Sequence, residues 1–263
     1  MTVAAAPAKL NLALVVGPTR PDGLHELATV YQRLALHDTI ELVPADELNV
    51  DGFADDTLVR RALEAAAAAA GVEPRWRARI EKRIPVAAGL GGGSSDAAAA
   101  LELAAESLGD ALPRPALHEL ARALGSDVPF FLRSGPHLGT GDGTELEPVD
   151  LPQAFTVLLL VPAGAVKEST ASVYGSFDRG DGFEGRKARL LEALAAGNLA
   201  ALPSNDLASS PHTARLRELG AFRADVSGAG PAVYGLFGDR AEADEAARRL
   251  DGLGRVFVTD PAW

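Results

Sequence analysis

Apolar residues recur along this chain at two spacings, one typical of strands and the other typical of helices. Alternating or unbroken apolar runs predict strands over residues 6–16, 31–43, 80–84, 156–161 and 232–237. Apolar residues three or four positions apart, together with capping signals, predict helices over residues 57–70, 95–108, 114–124, 170–174, 187–196 and 240–250. Strands and helices are therefore mixed from one end of the chain to the other.

Three stretches carry turn or loop signals. His37 and Asp38 are predicted to form a turn that divides residues 31–43 into a strand pair. Four glycines in residues 135–143 predict a hairpin or loop, and three glycines in residues 179–185 predict a mobile loop. The glycines of residues 135–143 are interpreted as part of a hairpin or loop rather than as a second phosphate site.

The densest signal lies at residues 85–101, where a short strand ends, a glycine-rich loop follows and a helix begins. Glycines let several backbone N–H groups point at one place, and the helix adds unpaired N-terminal donors and the positive end of its dipole. A helix start capped only by Ser94 or Ser95 would need one glycine, whereas four of the five residues 89–93 are glycine. A phosphate chain is therefore the predicted ligand.

This loop resembles the ATP loop of the GHMP superfamily of small-metabolite kinases, which includes galactokinase, homoserine kinase and mevalonate kinase. No lysine follows the last glycine, as it would in a P-loop, and Ser94 stands where a dinucleotide fingerprint has its third glycine. The resemblance implies that the loop wraps the triphosphate of ATP. The implied ATP-binding residues are Pro85, Val86, Ala87, Ala88, Gly89, Leu90, Gly91, Gly92, Gly93, Ser94 and Ser95.

Four further motifs extend the resemblance over residues 6–237. The motif PAKLNL at residues 7–12, followed by DGLHEL at residues 22–27, closely resembles the N-terminus of the 4-diphosphocytidyl-2-C-methyl-D-erythritol kinases. The motif GSDVP at residues 125–129 is similar to the sequence around the catalytic aspartate of these kinases. The motif SGAGP at residues 227–231 is similar to the glycine motif that lies against their ATP loop.

The resemblance implies a role for each matching residue. Asp127 would accept the proton of the attacking hydroxyl, and Lys9 would keep Asp127 ionised and polarise the hydroxyl and the γ-phosphate. His25 would read a cytosine base and Tyr174 would pack on its ring, whereas Leu24 replaces a tyrosine of the family. The implied substrate-binding residues are Asn11, Leu24, His25, Thr170 and Tyr174, and the supporting glycine motif comprises Ser227, Gly228 and Gly230.

The same resemblance implies a two-domain α+β fold with mainly antiparallel sheets, residues 1–150 and 151–263, and an active site in the cleft between the domains. The implied reaction phosphorylates the 2-hydroxyl of 4-diphosphocytidyl-2-C-methyl-D-erythritol with ATP and Mg²⁺, in non-mevalonate isoprenoid precursor biosynthesis. One alternative is another GHMP kinase, acting on homoserine or mevalonate, against which the motif at residues 22–27 argues. The other is a non-catalytic nucleotide-binding relative, which would be free to lose Lys9 or Asp127.

Composition narrows the classes of partner and site. A net charge of −11 weighs against a nucleic-acid partner and requires local positive charge beside any polyphosphate. The absence of cysteine excludes disulfides and thiolate metal sites, and the five scattered histidines predict no zinc site. Residues 2–16 are apolar but contain Lys9, whereas a signal peptide carries its charge before the apolar run. No membrane span is predicted, and a cytoplasmic location is expected.

Overall fold

The computed structural model describes residues 1–165, 170–175, 177 and 182–263, without the side chains of residues 110 and 170–172. Within these residues the strands are β1 Thr2–Thr19, β2 His25–Pro44, β3 Asn49–Asp51, β4 Trp76–Glu81, β5 His137–Gly141, β6 Glu145–Pro148, β7 Thr156–Pro162, β8 Arg223–Val226, β9 Val233–Phe237, β10 Gly254–Thr259 and β11 Pro261–Ala262. The helices are α1 Leu58–Ala69, α2 Gly92–Leu108, α3 Arg114–Leu124, α4 Val128–Phe131, α5 Thr170–Gly175, α6 Phe183–Ala195, α7 His212–Glu218 and α8 Arg240–Arg248. None of the helices described is long and apolar enough to cross a membrane.

The chain forms two compact units, each built from several segments. The first unit comprises Met1–Ala8, Leu36–Val86 and Gly91–Ser134, and the second comprises Lys9–Ala35, Ala87–Leu90 and Gly135–Trp263. The units are therefore interleaved along the chain. The division into residues 1–150 and 151–263 stays a prediction.

The first unit packs four helices and a small set of strands. The second half of β2 pairs antiparallel with β4, and β3 runs parallel to β4. Alternate residues of β4 are buried, as expected for a strand with one face toward a core. Helices α1, α3 and α4 all pack against α2, whose alanine-rich face allows close approach because alanine adds only a methyl group.

The second unit contains a four-stranded sheet in the order β10–β7–β9–β8, with antiparallel neighbours throughout. The central strand β7 is buried along most of its length, which explains its unbroken apolar sequence. In the same unit, the first half of β2 pairs with β5, and β5 forms a hairpin with β6. The hairpin predicted around residues 135–143 is therefore confirmed, as is the α+β class with mainly antiparallel pairing.

Two predicted loop features are wrong. The predicted turn at His37 and Asp38 is absent, because β2 runs unbroken through both residues. Asp38 is fully buried there and accepts the backbone N–H groups of Arg83 at 2.5 Å and Ile84 at 2.8 Å. The loop predicted over residues 179–185 gives way to α6 at residue 183, while residues 179–181 lie outside the described residues.

The strand before the glycine loop is also displaced from its prediction. It covers Trp76–Glu81 rather than residues 80–84. The backbone after Glu81 leaves the sheet because the N–H groups of Arg83 and Ile84 turn to the carboxylate of Asp38. A side chain on a neighbouring strand thus decides where β4 ends and where the loop begins.

Candidate active site

The glycine loop between β4 and α2 alternates between left-handed and right-handed or extended backbone. Ala87, Gly89 and Gly91 have φ values of 58°, 83° and 72°. Such alternation turns successive N–H groups toward a common side, where an anion can be held. Gly91 is the N-cap residue of α2, so the helix begins at Gly92 and adds its own unpaired N–H groups.

The predicted ATP-binding residues differ in their exposure. Val86, Ala87 and Gly93 are exposed, and Gly89, Gly91, Gly92 and Ser94 are half-buried; Pro85, Ala88, Leu90 and Ser95 are buried. The Ser95 Oγ atom has no hydrogen-bond partner among the described residues. The predicted helix start at Ser95 is three residues late, because the left-handed glycine that caps α2 lies at position 91.

The second glycine motif supports the loop from behind, within the second unit. Ser227 donates its hydroxyl to the carbonyl of Gly89 at 3.0 Å, and the N–H of Ala232 donates to the carbonyl of Ala88 at 2.9 Å. A Cβ at Gly89 would lie 2.4 Å from the Ser227 carbonyl oxygen and 2.9 Å from that of Gly230. Only glycine allows this approach, so the expected contact between the two motifs is present.

Lys9 and Asn11 project together from β1 into a buried polar cluster. Both side chains are only 4% exposed, and the Lys9 Nζ donates to Asn11 Oδ1 at 2.6 Å. Asn11 in turn donates to the Thr29 hydroxyl at 2.8 Å, and the Lys9 Nζ lies 5.4 Å from the centroid of the Tyr31 ring. A Cβ at Gly228 would lie 3.1 Å from Asn11 Oδ1, so the glycine motif also borders this cluster.

Arg223 holds the strand that carries Lys9 and Asn11. Its buried guanidinium donates to the carbonyls of Leu12 at 2.5 Å and Leu202 at 2.6 Å, and to Asp225 at 3.2 Å. Tyr234 also donates to the Leu12 carbonyl, at 2.9 Å, and burial raises its pKa to about 12. The backbone of β1 directly after Asn11 is therefore fixed by two buried donors.

A second cluster of charged residues lies in the first unit, beside the start of α2. The Lys82 Nζ donates to Asp38 at 2.5 Å and to Asp96 at 2.6 Å, and lies 5.7 Å from the Phe53 ring centroid. Burial raises the pKa of Asp96 to about 7 in spite of Lys82, and the Asp38 carboxylate adds to the rise. Burial opposes the charge on Lys82, but Asp96 and Asp38 outweigh it and raise the Lys82 pKa above its ordinary value.

Asp127 lies at the start of the short helix α4, which packs against α2. Its side chain is half-buried. It forms no capping hydrogen bond with the helix, although it occupies the N-cap position. The simplest structural explanation for an aspartate at this position, a helix cap, therefore does not apply.

His25 lies between two aromatic rings in the second unit. Its ring centroid is 5.9 Å from that of Tyr174, in a tilted arrangement, and 5.9 Å from that of Phe177, edge to face. The His25 Nδ1 lies 2.9 Å from the Gly17 carbonyl oxygen. Because a carbonyl only accepts, Nδ1 is the donor in this contact, and in the matching neutral tautomer Nε2 is an acceptor. Leu24, the preceding residue, is 47% exposed.

Some expected or functional residues need separate comment. The side chain of Thr170 lies outside the described part of the chain. Asp38, Lys82 and Asp96 are not among the predicted site residues, although a charged Asp38 within an apolar strand is a signal that indicates a buried partner. Among the described residues, no group of three or more histidines and acidic residues could hold a metal ion.

Comparison with known proteins places these features in a family. The models "GHMP kinases N terminal domain" and "GHMP kinases C terminal" match residues 57–135 and 213–255. The 4-diphosphocytidyl-2-C-methyl-D-erythritol kinase of Streptomyces avermitilis is 40% identical over 94% of this chain and 92% of its own length. That of Pelotomaculum thermopropionicum is 41% identical over 94% and 92%.

Solved structures give the same result. A crystal structure of 4-(cytidine 5'-diphospho)-2C-methyl-D-erythritol kinase matches with a TM-score of 0.82 and 34% identity, covering both chains fully. The mevalonate kinase of Methanococcus jannaschii matches with a TM-score of 0.77 over 100% of this chain and 98% of its own, but at 16% identity it shows the fold alone. The chain therefore belongs to the 4-diphosphocytidyl-2-C-methyl-D-erythritol kinase family and is, as a GHMP kinase, an ATP-dependent small-molecule kinase.

Proposed function

We propose that this kinase transfers the γ-phosphoryl group of ATP to the 2-hydroxyl of 4-diphosphocytidyl-2-C-methyl-D-erythritol, which yields the 2-phosphate and ADP. The observation that carries this proposal is the 40% identity, over 94% of the chain, to a relative that bears this name. The reaction would serve non-mevalonate isoprenoid precursor synthesis. The cytoplasmic location and the lack of a nucleic-acid partner remain part of the proposal.

The glycine loop is the proposed site of the ATP triphosphate. Phosphoryl transfer depends on positioning and charge neutralisation more than on covalent chemistry. The left-handed residues at 87, 89 and 91 and the start of α2 supply preorganised N–H donors. The Ser95 hydroxyl, buried and without a partner among the described residues, supports a role for this side chain toward the phosphates or their Mg²⁺.

Lys9 and Asp127 are the proposed catalytic residues. Lys9 would offset the negative charge that develops on the transferred phosphoryl group, and its burial strengthens that interaction because few water molecules screen it. Asn11 orients the ammonium group through their 2.6 Å hydrogen bond. Asp127, which is not used as a helix cap, would accept the proton of the attacking hydroxyl.

His25 and Tyr174 are the proposed cytosine-binding residues. The exocyclic amine of cytosine is a hydrogen-bond donor, and the His25 tautomer set by the Gly17 carbonyl offers Nε2 as an acceptor. Tyr174 provides an aromatic face near that atom. Uracil carries a carbonyl oxygen at the same position. That oxygen and the His25 Nε2 are both acceptors and cannot form a hydrogen bond with each other, so this arrangement favours cytosine.

A competition assay tests the proposed reaction. The enzyme is incubated with ATP and Mg²⁺ and offered the diphosphocytidyl substrate, mevalonate and homoserine side by side, and the new phosphate ester is followed by ³¹P NMR. We expect transfer to the diphosphocytidyl substrate with kcat/KM at least about 10³ higher than to the other two, because their hydroxyls lack the remote cytidyl contacts. Preferential transfer to mevalonate or homoserine would support the alternative of another GHMP kinase.

A further inference from the structure

Three charged side chains connect the segment before the glycine loop to the helix after it. Asp38 binds the N–H groups of Arg83 and Ile84 just before the loop, and it also binds the Nζ of Lys82. Lys82 reaches across to Asp96 in α2, just after the loop. We propose that Asp38, Lys82 and Asp96, the loop clamp, are positioning residues that hold the two ends of the glycine loop in the conformation that binds the phosphates of ATP. This inference rests on the ATP site proposed above.

The start of α2 lies directly against the clamp. A Cβ at Gly92 would lie 3.2 Å from Ile84 Cγ2, 3.3 Å from Lys82 Nζ and 3.4 Å from Asp38 Oδ2. These separations leave no room for a side chain without movement of the neighbouring groups. A displacement of Lys82 would therefore be passed to the first turn of α2, whose N–H groups are the proposed phosphate donors.

Stability alone is a poor explanation for the clamp. Asp38 and Asp96 are almost completely buried, and the attraction within a buried ion pair often fails to recover the cost of removing its charges from water. The Asp96 Oδ1 atom also lacks a hydrogen-bond partner among the described residues. The clamp is therefore costly to bury, and one of its oxygens is not hydrogen-bonded, but its charged groups are held rigidly. Its role is better explained by the geometry that it imposes on the adjacent loop.

The charge of the clamp is also compatible with a polyphosphate nearby. Two ionised carboxylates and one ammonium group would leave one net negative charge beside the loop. Because burial raises the pKa of Asp96 to about 7, this carboxyl carries a proton in a large share of molecules at neutral pH. The clamp can therefore hold its shape with less repulsion toward the incoming phosphates.

Substitution of Lys82 with matched controls tests the proposal. Lys82→Met removes the cation that joins both carboxylates, and Lys82→Arg keeps a cation able to bridge them. Arg83→Met is the control, because the Arg83 side chain pairs with Glu81 at the surface, where both side chains are more than half exposed. Affinity for a non-hydrolysable ATP analogue is measured by calorimetry, KM for ATP and for the diphosphocytidyl substrate by steady-state kinetics, and folding by thermal unfolding.

We expect Lys82→Met to weaken analogue binding and raise KM for ATP by about tenfold or more, because a small misplacement of a preorganised site is costly. KM for the diphosphocytidyl substrate should change less than threefold, and Lys82→Arg should restore most of the ATP affinity. Arg83→Met should behave as wild type. If Lys82→Met does not fold, Lys82→Met with Asp96→Asn removes one of the two buried carboxylates that have lost their cation, and it carries the same expectation. ATP affinity within twofold of wild type in a folded Lys82→Met variant would overturn the proposal, as would equal increases in both KM values in that variant.

A loop variant separates failure of the clamp from failure of the ATP site. Gly93 is exposed, and its backbone is not in the left-handed conformation. A Cβ at this position would lie 3.4 Å from the Leu58 Cδ1 atom, which is an ordinary contact distance. Gly93→Ala should therefore fold, and its methyl group adds bulk in the first turn of α2, beside the N–H groups proposed to bind the phosphates. Loss of ATP affinity in Gly93→Ala but not in Lys82→Met would reject the clamp alone. Wild-type affinity in Gly93→Ala would reject the loop as the ATP site, and the clamp with it.

Discussion

Lys9 and Asn11 show how this protein keeps a charged side chain ordered within a buried strand. Each polar atom of the pair is matched by a neighbour: Lys9 donates to Asn11, and Asn11 donates to Thr29. Buried polar groups are costly unless they are hydrogen-bonded, and hydrogen-bonded ones are held in a narrow range of orientations. The ammonium group is thus fixed before any substrate arrives, which is what stabilisation of a developing charge requires.

Asp127→Asn tests the proposed base at the residue scale. Asparagine has nearly the same size and shape as aspartate, so the variant should fold and bind ATP normally. Loss of a positioned base should lower kcat by about 10²–10⁴. Steady-state kinetics and nucleotide titration measure these effects, with the exposed Asp251→Asn as the control. Turnover near the wild-type value would remove Asp127 from the mechanism.

Leu24→Tyr tests the proposed cytosine site. Leu24 is exposed and precedes His25, so a tyrosine there should gain a second aromatic contact with the base without disturbing the core. Such a contact is worth roughly 0.5–1.5 kcal/mol, which corresponds to about a two- to twelvefold lower KM for the diphosphocytidyl substrate. KM for ATP should be unchanged. Leu191→Tyr, at a similarly exposed leucine of α6, is the control, and an unchanged KM for the cytidyl substrate would mean that Leu24 does not face the base.

At the scale of elements, the sequence predicted the ends of an element correctly where residues within or next to that element determine them. Helix α3 spans the predicted residues 114–124, because its amphipathic pattern and the glycine after it lie within the segment itself. The ends of β2 and β4 were not predictable in this way. In the sequence, Asp38 resembles a turn residue. The N–H groups that donate to its carboxylate belong to Arg83 and Ile84, which are 45 and 46 residues further along the chain. For the candidate site, sequence matching predicted Lys9, Asn11 and His25 but did not predict the clamp, for the same reason.

Asp96→Asn gives a prediction for the first turns of α2. The folded-state pKa of Asp96, about 7, exceeds its ordinary value of 3.8, so the folded protein binds the extra proton. The stability due to that proton is fully present below about pH 4 and is lost as the pH rises through about 7. Asparagine cannot titrate. The free energy of unfolding of the wild type, relative to that of the variant, should therefore fall by about 1 kcal/mol between pH 6 and pH 8.

Urea denaturation of both proteins at several pH values measures this difference. Glu106→Gln, at an exposed carboxylate of the same helix, should show a constant difference from the wild type across the range. A constant difference for Asp96→Asn as well would mean that the Asp96 carboxyl is already ionised throughout this range. Asp38 and Lys82, which contact Asp96 in the clamp, remain unchanged in both variants.

At the scale of the whole molecule, the two compact units do not correspond to two continuous stretches of chain. The second unit takes β1 from Lys9 onward and the first half of β2 from the N-terminal part, and most of its remaining residues from residue 135 onward. Arg223 and Tyr234, both fully or nearly buried, depend on the Leu12 carbonyl more than 200 residues earlier. The stability of this unit is therefore a property of the complete chain.

Division of the chain between residues 150 and 151 tests this dependence. The fragment 151–263 keeps the sheet formed by β7 to β10 but loses the Leu12 carbonyl and the strands β1, β2 and β5. Loss of the Leu12 carbonyl leaves Arg223 and Tyr234 each without one acceptor, and a buried donor left without its acceptor costs about 1–3 kcal/mol, a large part of the stability of a small domain. We expect no cooperative urea transition by circular dichroism for this fragment alone, and a cooperative one when both fragments are co-expressed. Cooperative unfolding of 151–263 alone would show that it is an autonomous domain.

The hydrogen bond from Ser227 to Gly89 also has a consequence for the order in which the enzyme is made. The two residues are 138 positions apart, and Ser227 emerges from the ribosome long after the loop that it supports. At a synthesis rate of 5–20 residues per second, the nascent loop remains without this contact for roughly 7–28 s. Until Ser227 has been synthesised, the loop cannot form the hydrogen bond that supports Gly89. We therefore expect the protein to bind nucleotide only late in its synthesis, after the C-terminal quarter of the chain has left the ribosome.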